Sequence, residues 1–421
     1  MQNTAIEASV NAGSEQFPVV LVPRIELHVF CDNQQTGQIL QVATTDRRMA
    51  RAHVTMQLGG IAAACQVYQT QPTPNVLVVE THSGRDQLMA ELAQLSEVCQ
   101  ANTKVVVLGH VNDVLLYREL IKAGISEYVV APISAVSFID LIAGLFVDPK
   151  ASPLGRIVAF VGAKGGVGSS TIAHNIAWAT SQKQGVDTII TDLDLAFGTA
   201  SLNFNQDGSG GMLEALNQPD RLDSTLVERM MTKLGNKLSL LNGPGTVDRD
   251  FNIEGHAVEA ILSVVRASAP LVMVDVPNMW APWIKSTLLN ADEIVITATP
   301  ELPSLRNAKN LMDLLRSSRP NDRVPHLVIN QVGVPKRPEI APADFAKALG
   351  VTPLAVIPHD PASFGLAQGN GQMLFEVAPK SKAAEILGSL APIIAGHQMA
   401  MPEKQKSGGF LSKLSRIGKK S

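Results

Sequence analysis

At 421 residues, with 45% hydrophobic residues and a formal net charge of −3, the chain is long enough for two or three domains with buried cores. The near-neutral balance, with no basic domain or stripe, argues against a nucleic-acid binder. Cys31, Cys65 and Cys99 are widely spaced, odd in number and without a Cys-x-x-Cys pair, so the cysteines point to no disulfide framework or zinc site and suit a reducing cytosol.

Residues 1–24 are polar, carry Pro18 and Pro23, and are expected to be a flexible lead-in. They lack a basic-then-apolar pattern. No apolar run approaches the roughly 18–20 residues that span a bilayer, so the expected chain is neither secreted nor membrane-spanning. From residue 25 the pattern changes. Leu27–Phe30, Val54–Leu58, Val76–Val79, Lys104–Leu108 and Glu127–Val130 read as short strands, separated by helical stretches such as Gln87–Cys99 and Val114–Ala123. That alternation predicts a parallel sheet covered by helices on both faces, and five such units in about 120 residues suit a flavodoxin-like domain over 25–147.

The stretches Pro74–Val79 and Gly124–Pro132 make this half similar to a response-regulator receiver domain. The resemblance implies a phospho-accepting aspartate at Glu80, a lysine at Ala131 and a hydroxyl at Gly109. All three are replaced, so the expectation is a degenerate receiver used for interaction rather than phosphorylation. Residues 148–155, with Pro149 and Pro153, read as a linker.

Next comes Phe160-Val161-Gly162-Ala163-Lys164-Gly165-Gly166-Val167-Gly168-Ser169-Ser170-Thr171, between an apolar run and a helical pattern beginning at Ile172. Glycines let successive N–H groups converge, and a helix N-terminus adds partial positive charge, so a strand, glycine turn and helix in this order form a phosphate cradle. The stretch departs from the usual P-loop, because Ser169 stands at the lysine position and Ala163 at the first glycine. Taken alone it is equally a glycine turn without phosphate.

Asp187–Thr191 then reads as a strand leading into Asp192 and Asp194, carboxylates on one side of the pleat at the strand end where parallel sheets bind ligands. Leu271–Val274 runs into Asp275 in the manner of a Walker B strand. A hydroxyl with strand-end carboxylates is a donor set that suits Mg²⁺ and a phosphate. Trp280 and Trp283 follow as packing residues or as part of a moving segment. Glu293–Thr297, His326–Ile329 before Asn330, and Leu354–Ile357 before Pro358 continue the parallel sheet. Beyond Pro402, Phe410, Leu411, Leu414 and Ile417 share one helical arc and Lys413, Arg416, Lys419 and Lys420 the opposite one. Residues 401–421 are therefore either a basic disordered tail or an amphipathic helix for a membrane surface or partner.

Lys164-Gly165-Gly166-Val167-Gly168, Asp192 with Asp194, Asp275, and the later stretches Ala291–Val295, Ile357–Pro361 and Ala378–Ala384 make residues 156–400 similar to the MinD/ParA family of deviant Walker A ATPases. With the degenerate receiver and the Gly168–Thr171 ending, the whole chain resembles the CpaE/TadZ family. The resemblance implies a two-domain α/β protein, flavodoxin-like and then P-loop NTPase. It implies ATP and Mg²⁺ as ligands, with Gly165, Gly166, Val167, Gly168, Ser169, Ser170 and Thr171 along the phosphates and Ser170, Asp192 and Asp275 around the metal. Asp194 would position water, Asn330 and Pro358 would flank adenine, and Lys164 would reach a partner's nucleotide across a homodimer. Further implications are assembly and polar placement of a Tad/Flp-type pilus in a cytoplasmic protein that touches pilus components or polar landmarks, with membrane contact through its tail. Ser169 weakens the case for hydrolysis more than for binding, since a transition state gathers charge where the lysine belongs. A ParA-like ATPase for DNA or cargo partitioning is the alternative.

Overall fold

The computed structural model describes residues 22–147, 154–207, 211–248 and 250–396. Most of the lead-in, six residues of the linker and all of the 401–421 tail lie outside them. Val22, inside the predicted lead-in, is fully buried and donates its N–H to the Arg48 carbonyl, so the first unit starts earlier than residue 25.

The first unit contains β1 (Glu26–Cys31), β2 (His53–Leu58), β3 (Val76–Glu80), β4 (Lys104–Gly109) and β5 (Glu127–Val130), ordered β2-β1-β3-β4-β5. Every pair in it is parallel. All five residues of β3 are buried, as a central strand with helices on both faces requires. The period of two divides them. Val76 and Val78 join Phe138 and Ile142 on one face, while Leu77 and Val79 join Leu88 and Leu116 on the other. Strand order reverses between β1 and β3, which puts a crevice at their carboxyl ends.

The second unit holds β6 (Arg156–Gly162), β7 (Thr188–Asp192), β8 (Thr232–Lys233), β9 (Leu238–Leu241), β10 (Leu271–Val276), β11 (Glu293–Ala298), β12 (His326–Val332) and β13 (Ala355–Pro358). Their order is β13-β12-β11-β6-β10-β7-β9-β8. The β6 residues again alternate, with Ile157, Ala159 and Val161 facing Ile284 and Met312, and Val158 and Phe160 facing Ile176 and Leu387. The sheet departs from the predicted parallel pattern at one edge, where two-residue β8 pairs antiparallel to β9. Neither strand is visible in the sequence, because a four-residue Leu-Ser-Leu-Leu run and a dipeptide are too short to carry a period. Trp283 is buried and packs in the core, whereas Trp280 is 56% exposed.

The two units meet through a charged joint. Asp322 accepts from Arg47 Nε and from Arg319 Nε, each at 2.7 Å, and Asn321 donates to Asp46 at 2.9 Å. Among the described residues no helix is long and apolar enough to cross a membrane.

Candidate nucleotide site

The loop after β6 turns through Gly166 (φ 78°) and Gly168 (φ 86°), left-handed conformations that favour glycine, and opens the helix Ser169–Lys183. A Cβ on Gly168 would lie 2.7 Å from Asn330 Nδ2. Four side-chain amides hold the carbonyls of the loop. Asn278 donates to Gly162 (2.8 Å), Asn307 to Ala163 (2.9 Å), Gln331 to Gly166 (3.0 Å) and Asn330 to Val167 (2.8 Å). Carbonyl oxygens repel an anion, so tying them to donors favours one at the loop. Ser169 is buried with its Oγ enclosed and unpartnered, while Ser170 is half-buried.

Asp275 of β10 lies opposite Asp192 of β7 in register, and both are buried. Asp192 accepts from the Asp194 amide at 2.9 Å and the Ala200 amide at 3.3 Å, and a Cβ on Gly198 would come within 2.7 Å of its Oδ2. Burial, then the neighbouring Asp275 charge, push its carboxyl well above the usual range, while His174 and the two amides pull the other way. His174 is fully buried, with Nε2 at 3.5 Å from Asp275 Oδ2 and Nδ1 at 2.9 Å from Asn203 Nδ2. One ligand atom from each of His174, Asp192 and Asp275 lies within 4.8 Å of the others.

The predicted residues thus fall into separate contacts. Gly168, Thr171, Asn330 and Pro358 line one cavity of about 350 Å³, within the range of small-molecule pockets. Asp192 and Asp275 meet, whereas the Asp194 carboxylate accepts from the Phe197 amide at 2.9 Å. Lys164 turns back to Glu301 of its own chain, Nζ to Oε1 at 2.5 Å. His174, Asn278, Asn307, Gln331 and Glu301 were not predicted. His174 alone had a signal, since it sits four residues past Ser170, one turn along the same helix face.

These residues fit a nucleotide with a divalent cation. Two adjacent buried carboxylates call for positive charge, and the Ser169 Oγ and Asn330 Oδ1 are enclosed polar atoms without partners.

At the end of the first sheet, Glu80 is 1% exposed and accepts from the Asp32 amide (2.8 Å), the Asn33 amide (3.2 Å), Asn33 Nδ2 (2.9 Å), Thr36 Oγ1 (2.6 Å) and His110 Nε2 (3.1 Å). Burial raises its pKa, but these bonds, led by Thr36, outweigh it and hold the carboxylate below its ordinary value. Gly109 has its own reason: a Cβ there would lie within 3 Å of the Tyr128 ring, whose hydroxyl donates to the Val111 carbonyl at 2.7 Å.

No protein-family model matches the chain. Septum site-determining protein MinD of Helicobacter pylori is 22% identical over 275 residues, 62% of this chain and 98% of that one. A ParA family ATPase from Chlorobium tepidum superposes with a TM-score of 0.51 at 27% identity, covering 57% of this chain and 98% of the other. The pilus assembly protein CpaE of Caulobacter crescentus is 42% identical over 97% of its own structure and 30% of this chain, with a TM-score of 0.30. Sequence identity over nearly all of that protein's structure, not the superposition, carries the conclusion: the chain belongs to the CpaE family, on a MinD/ParA ATPase fold.

Proposed function

We propose that this protein is an ATP-binding, dimerising organiser that places and assists assembly of a Tad/Flp-type pilus at the bacterial pole, with slow or no hydrolysis. The observation that carries this reading is the conjunction of 42% identity to a pilus assembly protein with a glycine loop that keeps Lys164 but has Ser169 at the phosphate lysine position. ATP and Mg²⁺ supply the charge that would join two copies. Gly165 to Thr171 would run along the phosphates, and Ser170, Asp192 and Asp275 would hold the cation. Asn330 Oδ1, enclosed and unpartnered, could accept from an adenine amino group beside Pro358. Asp194 would position water once released from the Phe197 amide. Lys164 would leave Glu301 for a partner's phosphates.

Domain bounds at 25–147, extended back to Val22, and at 156–400 suit the reading, with the first unit binding pilus components or a polar landmark and residues 401–421 adding peripheral membrane contact. The test is imaging of a fluorescent fusion in a deletion strain while pili are scored, with and without residues 401–421. A single polar focus and restored piliation are expected from the full chain, with a weaker focus from the truncation. Diffuse signal together with normal piliation in the deletion strain would refute it.

A further inference from the structure

The carboxyl ends of β1, β3 and β4 gather two imidazoles and two carboxylates that the nucleotide site does not use. Glu80 closes β3, His82 follows it, His110 follows β4 and Asp32 follows β1. The rings of His82 and His110 stack with centroids 3.8 Å apart and 14° between their planes. His82 Nδ1 lies 2.8 Å from Asp32 Oδ2, and His110 Nε2 lies 3.1 Å from Glu80 Oε1. One ligand atom from each of Glu80, His82 and His110 falls within 4.8 Å of the others.

We propose that this cluster is a binding site for a divalent transition-metal ion of the zinc class, held by Glu80, His82 and His110. Nitrogen and oxygen ligands around zinc stand about 3.0–3.4 Å apart for angles between right and tetrahedral. The 3.1 Å between His110 Nε2 and Glu80 Oε1 already has that bite. The ion therefore replaces the imidazole proton now shared by the two. That hydrogen is carried instead on Nδ1 of the same ring, so the neutral imidazole offers its Nε2 lone pair and Glu80 its carboxylate oxygen to the metal.

His82 needs no change of tautomer. Asp32 accepts its Nδ1 hydrogen, which fixes the tautomer and leaves the Nε2 lone pair for an ion, the arrangement in which a carboxylate orients a metal-binding histidine. Access is graded as a site requires: the Glu80 side chain is fully enclosed, His110 is 32% and His82 52% exposed. The ion would rest on the enclosed Glu80 carboxylate, and the more exposed His82 ring would swing out of its stack on His110 to close the open side, with water completing the shell. Two imidazole ligands favour zinc, nickel, copper or cobalt over magnesium, which prefers oxygen. Bound there, the ion ties together the loops after β3 and β4 on the face of the first unit farthest along the strands.

The test uses the full chain, stripped of metal by a chelator and free of nucleotide, titrated with Co²⁺ and followed by visible absorption, then with Zn²⁺ in competition. Expected, with excess Mg²⁺ present to occupy the Asp192–Asp275 site, are one equivalent of Co²⁺ in a low-coordinate spectrum without thiolate charge-transfer bands, displacement by Zn²⁺, and affinity lowered about tenfold or more in His82→Ala and in His110→Ala. Asp32→Asn should weaken binding by a smaller factor. Because His82 is half exposed, His82→Ala decides the matter even where His110→Ala does not fold. Absence of a one-equivalent spectrum, or a spectrum and affinity unchanged in His82→Ala, overturns the proposal. The second of these outcomes would assign the ion to another group, such as His174 with Asp192 and Asp275.

Discussion

Lys164 and Glu301 form a pair within one chain, Nζ to Oε1 at 2.5 Å, and Glu301 also accepts from Thr299 Oγ1 at 2.7 Å. Hydrogen bonds from Lys164 and then Thr299 hold the Glu301 carboxyl below its ordinary value. The lysine proposed to reach a second copy is therefore already occupied. The pair is partly exposed, at 38% and 25%, so its net worth is small, about 0–1 kcal/mol. Glu301→Gln should lower the concentration for ATP-dependent dimerisation by up to about fivefold. Lys164→Ala should raise it. Light scattering across a protein dilution series reads both, and equal dimerisation in all three proteins would remove Lys164 from the interface.

Gly168 combines a left-handed φ of 86° with a close approach to Asn330. Gly168→Ala therefore carries backbone strain of about 1–3 kcal/mol and pushes away the amide that holds the Val167 carbonyl. Nucleotide affinity should fall at least tenfold, with the thermal midpoint lowered by a few degrees. Asn330→Ala should lose affinity by a smaller factor, because the loop keeps its three other amide supports.

The joint between the units predicts a stability effect far from the nucleotide. Asp322 is the shared acceptor of Arg47 and Arg319, and all three side chains are at least nine-tenths buried. Asp322→Ala leaves two guanidinium groups enclosed without their common acceptor, which should cost about 3–5 kcal/mol. Calorimetry should show a lowered transition that splits in two as the units uncouple. A single unshifted transition would mean that the joint does not contribute.

Asp192 supplies a pH dependence. Its folded pKa is raised, first by burial and then by Asp275, above the value it has in the unfolded chain. The native state thus holds the proton more tightly. This contribution is full below the ordinary carboxylate value near 4 and is lost as pH rises through the raised value. Without Mg²⁺, the unsubstituted protein should lose at least about 1 kcal/mol relative to Asp192→Asn between pH 5 and 8. Added Mg²⁺ should restore it at pH 8 only where Asp192 is present.

The parallel α/β pattern was legible because apolar runs such as Val76–Val79 and Leu271–Val274 lead into Glu80 and Asp275, which the structure places as the last residue of β3 and the last but one of β10, both buried. The glycine loop was legible for the same reason: its strand end, turn and helix start are written in consecutive residues. What escaped was assembled from distant parts of the chain. Asn278, Asn307 and Gln331 are ordinary amides until the sheet brings them to the loop, and Glu301 gains meaning only beside Lys164. His82 and His110 belong to different loops and meet only because β3 and β4 are neighbours. The short β8 and β9 gave no period at all.

The central claim is that the loop holds ATP but cleaves it slowly because Ser169 stands where a cation belongs. The direct measurement is a calorimetric ATP–Mg²⁺ titration of the purified full chain and of Ser169→Lys, paired with phosphate release from both. A charge-assisted bond of about 1.5–3 kcal/mol is missing, so Ser169→Lys should bind about 10- to 150-fold more tightly and turn over faster. The unsubstituted protein should bind by millimolar ATP and release phosphate barely above background. No binding at millimolar nucleotide, or brisk turnover with serine in place, would contradict the account.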